Sequence, residues 1–116
     1  MWLFTVHGLI SVTRSPMEPD KIQVRARSRQ TIEAVSGLLS EMPTIIETGH
    51  SDYRYRLIIT PADWVALASA LAAQVDYDNF KDAVADKFGH DAPYTKTLHR
   101  VWSAGMALDD GGKTKP

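Results

Sequence analysis

The chain has 116 residues, one domain by length and enough to bury a single core. Hydrophobic residues make up 44% and charged residues 23%, with a net charge of −1, a globular balance that excludes a disordered chain and a uniformly basic nucleic-acid binder. There is no cysteine, which excludes disulfides, thiolate zinc sites and cysteine nucleophiles and fits a cytoplasmic protein.

No apolar run approaches the roughly eighteen residues that a membrane helix needs, so no membrane partner is expected. The apolar start, Met1 to Ile10, lacks a basic leader and reads as a strand, not as a signal peptide. Residues 2–13 alternate. Trp2, Phe4, Val6, Ile10 and Val12 fall on one parity, read as core; His7 falls on the other, with Gly8 marking a bulge or close backbone approach. Residues 14–20 carry two prolines and read as a loop. Lys21 to Arg27 is a second half-buried strand, with Ile22, Val24 and Ala26 against Gln23, Arg25 and Arg27.

Ser28 is the N-cap of a helix expected to run to about Met42 on the stripe Ile32, Val35, Leu38, Leu39, Met42. Residues 44–48 form a short third strand. The fourth, Tyr53 to Ile59, places Tyr53, Tyr55, Leu57 and Ile59 on the core side and Arg54 and Arg56 opposite. Thr60-Pro61-Ala62-Asp63 starts the second helix: a cap, a proline at the first position and an acid in the first turn. Asp76 or Asp78 caps a third helix carrying Tyr77, Phe80, Val84 and Phe88, with Gly89 at its end. A fourth helix follows Pro93 and turns Tyr94, Leu98, Val101 and Trp102 inward. The expectation is a single α+β domain over residues 1–108. It has a four-stranded antiparallel sheet in the order ββαββα, C-terminal helices packed on one face, and a disordered tail over 109–116.

The outer sheet face then shows Thr5, His7, Ser11, Arg25, Arg27, Arg54 and Arg56. Guanidinium groups chelate phosphates through paired hydrogen bonds, so nucleic acid or a phosphate ligand is the functional reading. Against it stands an ordinary solvated face whose arginines pair with Glu33, Glu47 or the acids of the third helix, the commoner case because surface charges are cheap. The tyrosines are assigned to the core side, so that face lacks base-stacking platforms. The histidines His7, His50, His90 and His99 share no metal-ligand spacing, and no nucleophile elbow, phosphate loop or cofactor motif is present, so no metal, catalytic residue or cofactor is assigned.

Five stretches together, Trp2-Leu3-Phe4-Thr5 with Gly8 and Ser11-Val12, Val24 to Arg27, Asp52 to Arg56, Asp76 to Lys81, and His99 to Trp102, resemble a group of small bacterial proteins of unassigned function. The resemblance spans nearly the whole chain and implies a bacterial or phage-borne domain in which those stretches matter together; it brings no activity. The start of the third helix (Tyr77, Asp78, Asn79 and Lys81), the Asp52 to Arg54 turn and His99 would then converge at one end of the sheet; the favoured alternative is that Asp76 or Asp78 salt-bridges Arg54 or Arg56 and locks the helices to the sheet.

The leading expectation is a non-enzymatic interaction module with a protein partner or a second copy of itself, for instance a phage-type inhibitor such as an anti-CRISPR protein. Nucleic-acid or phosphate binding through the arginine face is the alternative. A small hydrolase or nuclease using His7, Asp78 and His99 ranks third.

Overall fold

The computed structural model describes residues 1–110; the tail expectation beyond them lies outside the described residues. The chain divides into two compact units, Met1–Asp76 and a second beginning at Tyr77. Among the described residues no helix is long and apolar enough to cross a membrane.

The first unit is α+β. Strands β1 (Trp2–Thr5), β2 (Gly8–Arg14) and β3 (Ile22–Ala26) precede helix α1 (Arg29–Ser36). Strands β4 (Ile46–Glu47) and β5 (Tyr55–Ile59) precede helix α2 (Pro61–Ala73). The five strands form one open sheet in the order β1-β2-β3-β5-β4, every neighbouring pair antiparallel.

Four strands in the order ββαββα were expected, and the difference lies at Val6 and His7. The alternation of residues 2–13 conceals a hairpin, because Thr5 pairs with Gly8. Thr5 Oγ1 accepts from the His7 amide at 3.0 Å and donates to the Gly8 carbonyl at 2.8 Å. Gly8 takes φ +130°, a backbone conformation that side chains rarely permit. A threonine hydroxyl and one glycine thus close a turn that carries none of the Asn-Gly or Asp-Gly signals of a two-residue loop.

The hairpin reverses the faces of the first strand. Cross-strand partners share a face. Leu3 stands beside Ile10 and packs on the core, whereas Trp2 stands beside Ser11 and is 68% exposed, not buried as the alternation implied. Within β2, β3 and β5 the alternation holds. Ile10, Val12, Val24, Ala26, Leu57 and Ile59 line the inner face, and Ile32, Val35 and Leu67 close the core over them from the two helices.

Ser28 caps α1 by accepting from the Thr31 amide. The helix stops at Ser36 and not near Met42, because Gly37 follows and bonds back to the Glu33 and Val35 carbonyls; Met42 is exposed. Glycine is a poor helix former, and past it the chain tightens to three-residue bonds, the Leu38 amide donating to the Val35 carbonyl and the Leu39 amide to the Ser36 carbonyl. Thr60 starts α2 as its sequence implies, Oγ1 accepting from the Asp63 amide at 3.0 Å.

The second unit holds helices α3 (Phe80–Phe88) and α4 (Pro93–Gly105) and a 3-10 turn, Met106–Leu108. Asn79, not Asp76 or Asp78, caps α3, its Oδ1 accepting from the Asp82 amide at 3.0 Å. Asn and Asp are equally good caps, so spacing alone does not choose between them. Gly89 ends α3 as expected, with φ +100°. Thr95 Oγ1 donates to the Gly89 carbonyl at 2.7 Å, and Phe88 meets Tyr94 edge-on at 5.3 Å. Val101 and Trp102, expected to turn inward, are exposed. Trp102 still meets α3 through Lys81, whose ammonium lies 4.4 Å from its ring centroid.

Candidate binding face

The ladder registers place one row of residues across the whole sheet. Trp2 stands beside Ser11, Ser11 beside Arg25, Arg25 beside Arg56, and Arg56 beside Ile46. Because the row alternates with Ile10, Val24 and Leu57, it lies on the outer face of the sheet. Two guanidinium-bearing side chains therefore stand directly opposite one another on β3 and β5.

Their hydrogen bonds go to neutral acceptors. Arg25 Nη2 donates to Ser11 Oγ at 2.7 Å. Arg56 Nη1 donates to Gln23 Oε1 at 3.3 Å, and its Nη2 to Ser51 Oγ at 3.1 Å and the Tyr53 carbonyl at 3.3 Å. Gln23 is oriented for this by its own bond from Nε2 to Thr13 Oγ1 at 2.8 Å. The Nε atoms of both arginines are buried with no hydrogen-bond partner.

Tyr53 sits under the cluster, not in the core with Tyr55. Arg25 and Arg27 lie over its ring with guanidinium carbons 4.6 and 4.9 Å from the centroid, and the residue is only 6% exposed. The chain bends through residues 51–53 and the strand begins at Tyr55, so the alternation does not carry back to Tyr53. Tyr55 does pack on the core, with Arg29 over its ring at 5.2 Å.

Glu33 and Glu47 are engaged at the margin of the face. Glu47 pairs with Arg54 at 3.6 Å and with Arg29 at 3.4 Å, and Glu33 pairs with Arg29 at 3.3 Å. The Glu33 hydrogen bond foremost, and Glu47 beyond it, hold the Arg29 guanidinium above its ordinary pKa. Among the described residues, no carboxylate lies within ion-pair distance of Arg25, Arg27 or Arg56. Like charges directly opposed across a ladder are destabilising by roughly 0.2–1 kcal/mol, and a buried unpaired donor costs about 1–3 kcal/mol. Set against these costs are the hydrogen bonds to Ser11, Gln23, Ser51 and the Tyr53 carbonyl and the contact of Arg25 with the Tyr53 ring.

The remaining expected site residues have other settings. His7 occupies the hairpin turn, its Nε2 lying 2.8 Å from Gln74 Oε1 at the end of α2, which ties the turn to the helix. Asp78, Lys81 and His99 belong to the second unit. There the Lys81 ammonium lies 4.4 Å from the Trp102 ring centroid, while Asp78 and His99 are exposed. No group of three His, Asp or Glu side chains able to hold a metal ion occurs among the described residues.

Sequence reasoning placed Gln23 on the parity of this face without giving it a role, and it missed Trp2, Ser51 and Tyr53. Gln23 had a signal, being the polar neighbour of Arg25 on the same strand parity. Tyr53 and Ser51 had none, because their position depends on where the strand starts. Comparison with known proteins finds no matching family model, no similar curated protein and no similar solved structure.

Proposed function

We propose that this protein is a non-enzymatic binding module that receives a phosphate-bearing ligand on the outer face of its sheet, at Arg25 and Arg56. The observation that carries this reading is the direct opposition of the two arginines, whose hydrogen bonds go to neutral partners only. A doubly charged oxyanion between them would offset the mutual repulsion and supply acceptors to guanidinium groups already held by Ser11, Gln23 and Tyr53. Arg27, over the same ring, adds to the field that attracts the anion.

Calorimetric titration with inorganic pyrophosphate at low salt tests the reading. Arg25→Ala or Arg56→Ala is expected to weaken binding by about tenfold or more, since a charge-assisted bond contributes about 1.5–3 kcal/mol. Arg29→Ala, whose charge Glu33 and Glu47 already occupy, is expected to leave affinity within about twofold. Equal losses in all three variants would mean that only diffuse charge is being measured, and no binding by the unaltered protein would end the reading.

Self-association is a second reading, favoured by a separate observation. Val101, Trp102, Met106 and Leu108 are exposed apolar residues along the end of α4 and the turn that follows. Sedimentation over a range of protein concentrations is expected to reveal a dimer that Trp102→Ala abolishes. A monomer at every concentration contradicts it.

A further inference from the structure

The row that contains Arg25 and Arg56 begins with an aromatic ring. Trp2 is the outermost residue of that row, 68% exposed, and its strand is anchored on both sides of it. The Met1 amino group donates to the Val12 carbonyl at 2.9 Å, the Val12 amide donates to the Met1 carbonyl at 2.8 Å, and Leu3 is packed on the core. The backbone that presents the indole is therefore fixed although the ring itself faces solvent. Phe4 lies two residues along the same strand on the same face, beside Leu9.

Neighbouring strands stand about 4.8 Å apart, which puts the Trp2 backbone roughly 10 Å from that of Arg25 and roughly 14 Å from that of Arg56. An exposed, positioned indole at one end of a row and an uncompensated guanidinium pair in its middle are complementary to two different parts of one ligand. A small inorganic anion uses only the pair. A single-stranded nucleic acid uses both: its phosphates meet the arginines and an unpaired base lies on the indole, since every base offers a π-face. A duplex keeps its bases stacked inside and has none to offer.

Resting on the phosphate-binding reading above, we infer that the ligand is a single-stranded nucleic acid crossing the sheet along the row Trp2, Ser11, Arg25, Arg56, with a base stacked on Trp2. The phosphates lie at the centre of the sheet and the base at its β1 edge. Sequence preference is weak, because stacking and phosphate contacts both tolerate any base.

The test compares a short single-stranded DNA or RNA oligonucleotide with an abasic phosphodiester of the same length, by fluorescence anisotropy of labelled strands. The intact strands are expected to bind roughly five- to a hundredfold more tightly than the abasic one, in line with the stacking contribution of one base. Trp2→Ala is expected to erase that preference while leaving abasic binding unchanged; Trp2→Phe retains part of it. Arg25→Ala is expected to weaken both strands alike. Equal binding of intact and abasic strands, or a preference that survives Trp2→Ala, overturns the inference and leaves the phosphate site standing. Failure of every strand, abasic included, to bind overturns the inference, and overturns the phosphate site as well when pyrophosphate also fails to bind.

Discussion

Gly8→Ala is expected to lower the stability of the protein by about 3 kcal/mol or more, from a strained backbone costing roughly 1–3 kcal/mol and an overlap of similar size. Gly8 holds φ +130°, and a Cβ built there falls on the side chain of Thr31, which is buried in α1. The glycine therefore does two things at once. It turns the hairpin, and it lets the first turn of α1 approach the sheet. Thr31→Ala in the Gly8→Ala background removes the overlap but not the backbone strain, so it is expected to restore only part of the loss. Thr31→Ser keeps the hydroxyl that stands nearest the added carbon and is expected to restore less. Urea unfolding at constant m-value reads these differences. A loss below about 1 kcal/mol for Gly8→Ala would contradict the turn at Val6 and His7, given the strain expected there.

Arg25→Glu is expected to move stability and binding in opposite directions. The change converts the Arg25–Arg56 opposition into a cross-strand ion pair, reversing the sign of a term of roughly 0.2–1 kcal/mol and giving the Arg56 Nε an acceptor. Ser11 Oγ, which now accepts from Arg25, donates to the new carboxylate instead. Folding stability is expected to rise by about 1 kcal/mol from these terms together. Phosphate-ligand affinity is expected to fall by about a hundredfold or more, because one contact is lost and a repelling charge is added at the site, each worth a factor of about ten. A gain in stability with loss of binding is what a face kept under electrostatic strain for its ligand should give. A variant that loses stability instead would show that the arginines serve the fold.

Much of the architecture was legible because it follows from patterns that short-range physics enforces. The core residues of the second expected strand, Tyr55, Leu57 and Ile59 of the fourth, the Ser28 and Thr60 caps and the Gly89 stop all depend on neighbours a few residues away. What failed depended on a single turn or on a distant partner. Val6-His7 carries no turn signal of its own; its turn is closed by the Thr5 hydroxyl and by the fit of Gly8 against Thr31, a residue on another element. That one unseen turn moved Trp2 from the expected core to the outer face. The bend at residues 51–53 did the same for Tyr53, and so reversed the argument that the arginine face lacks aromatic rings. The arginines themselves were legible as a set, but not which of them find an acid. Glu47 reaches Arg54 and Arg29 only because β4 and β5 pair as they do, and Arg25 and Arg56 oppose one another only through the β3–β5 register.

The salt dependence of single-strand affinity reports which side chains hold the bound phosphates. Each neutralised phosphate contributes about 0.7 to the slope of log affinity against log salt concentration for a single strand. If Arg25 and Arg56 hold the phosphates, Arg25→Glu is expected to flatten that slope by at least about 0.7 relative to the unaltered protein, whereas Arg29→Ala leaves it unchanged. Identical slopes for the unaltered protein and Arg25→Glu would place the bound phosphates elsewhere and contradict the account.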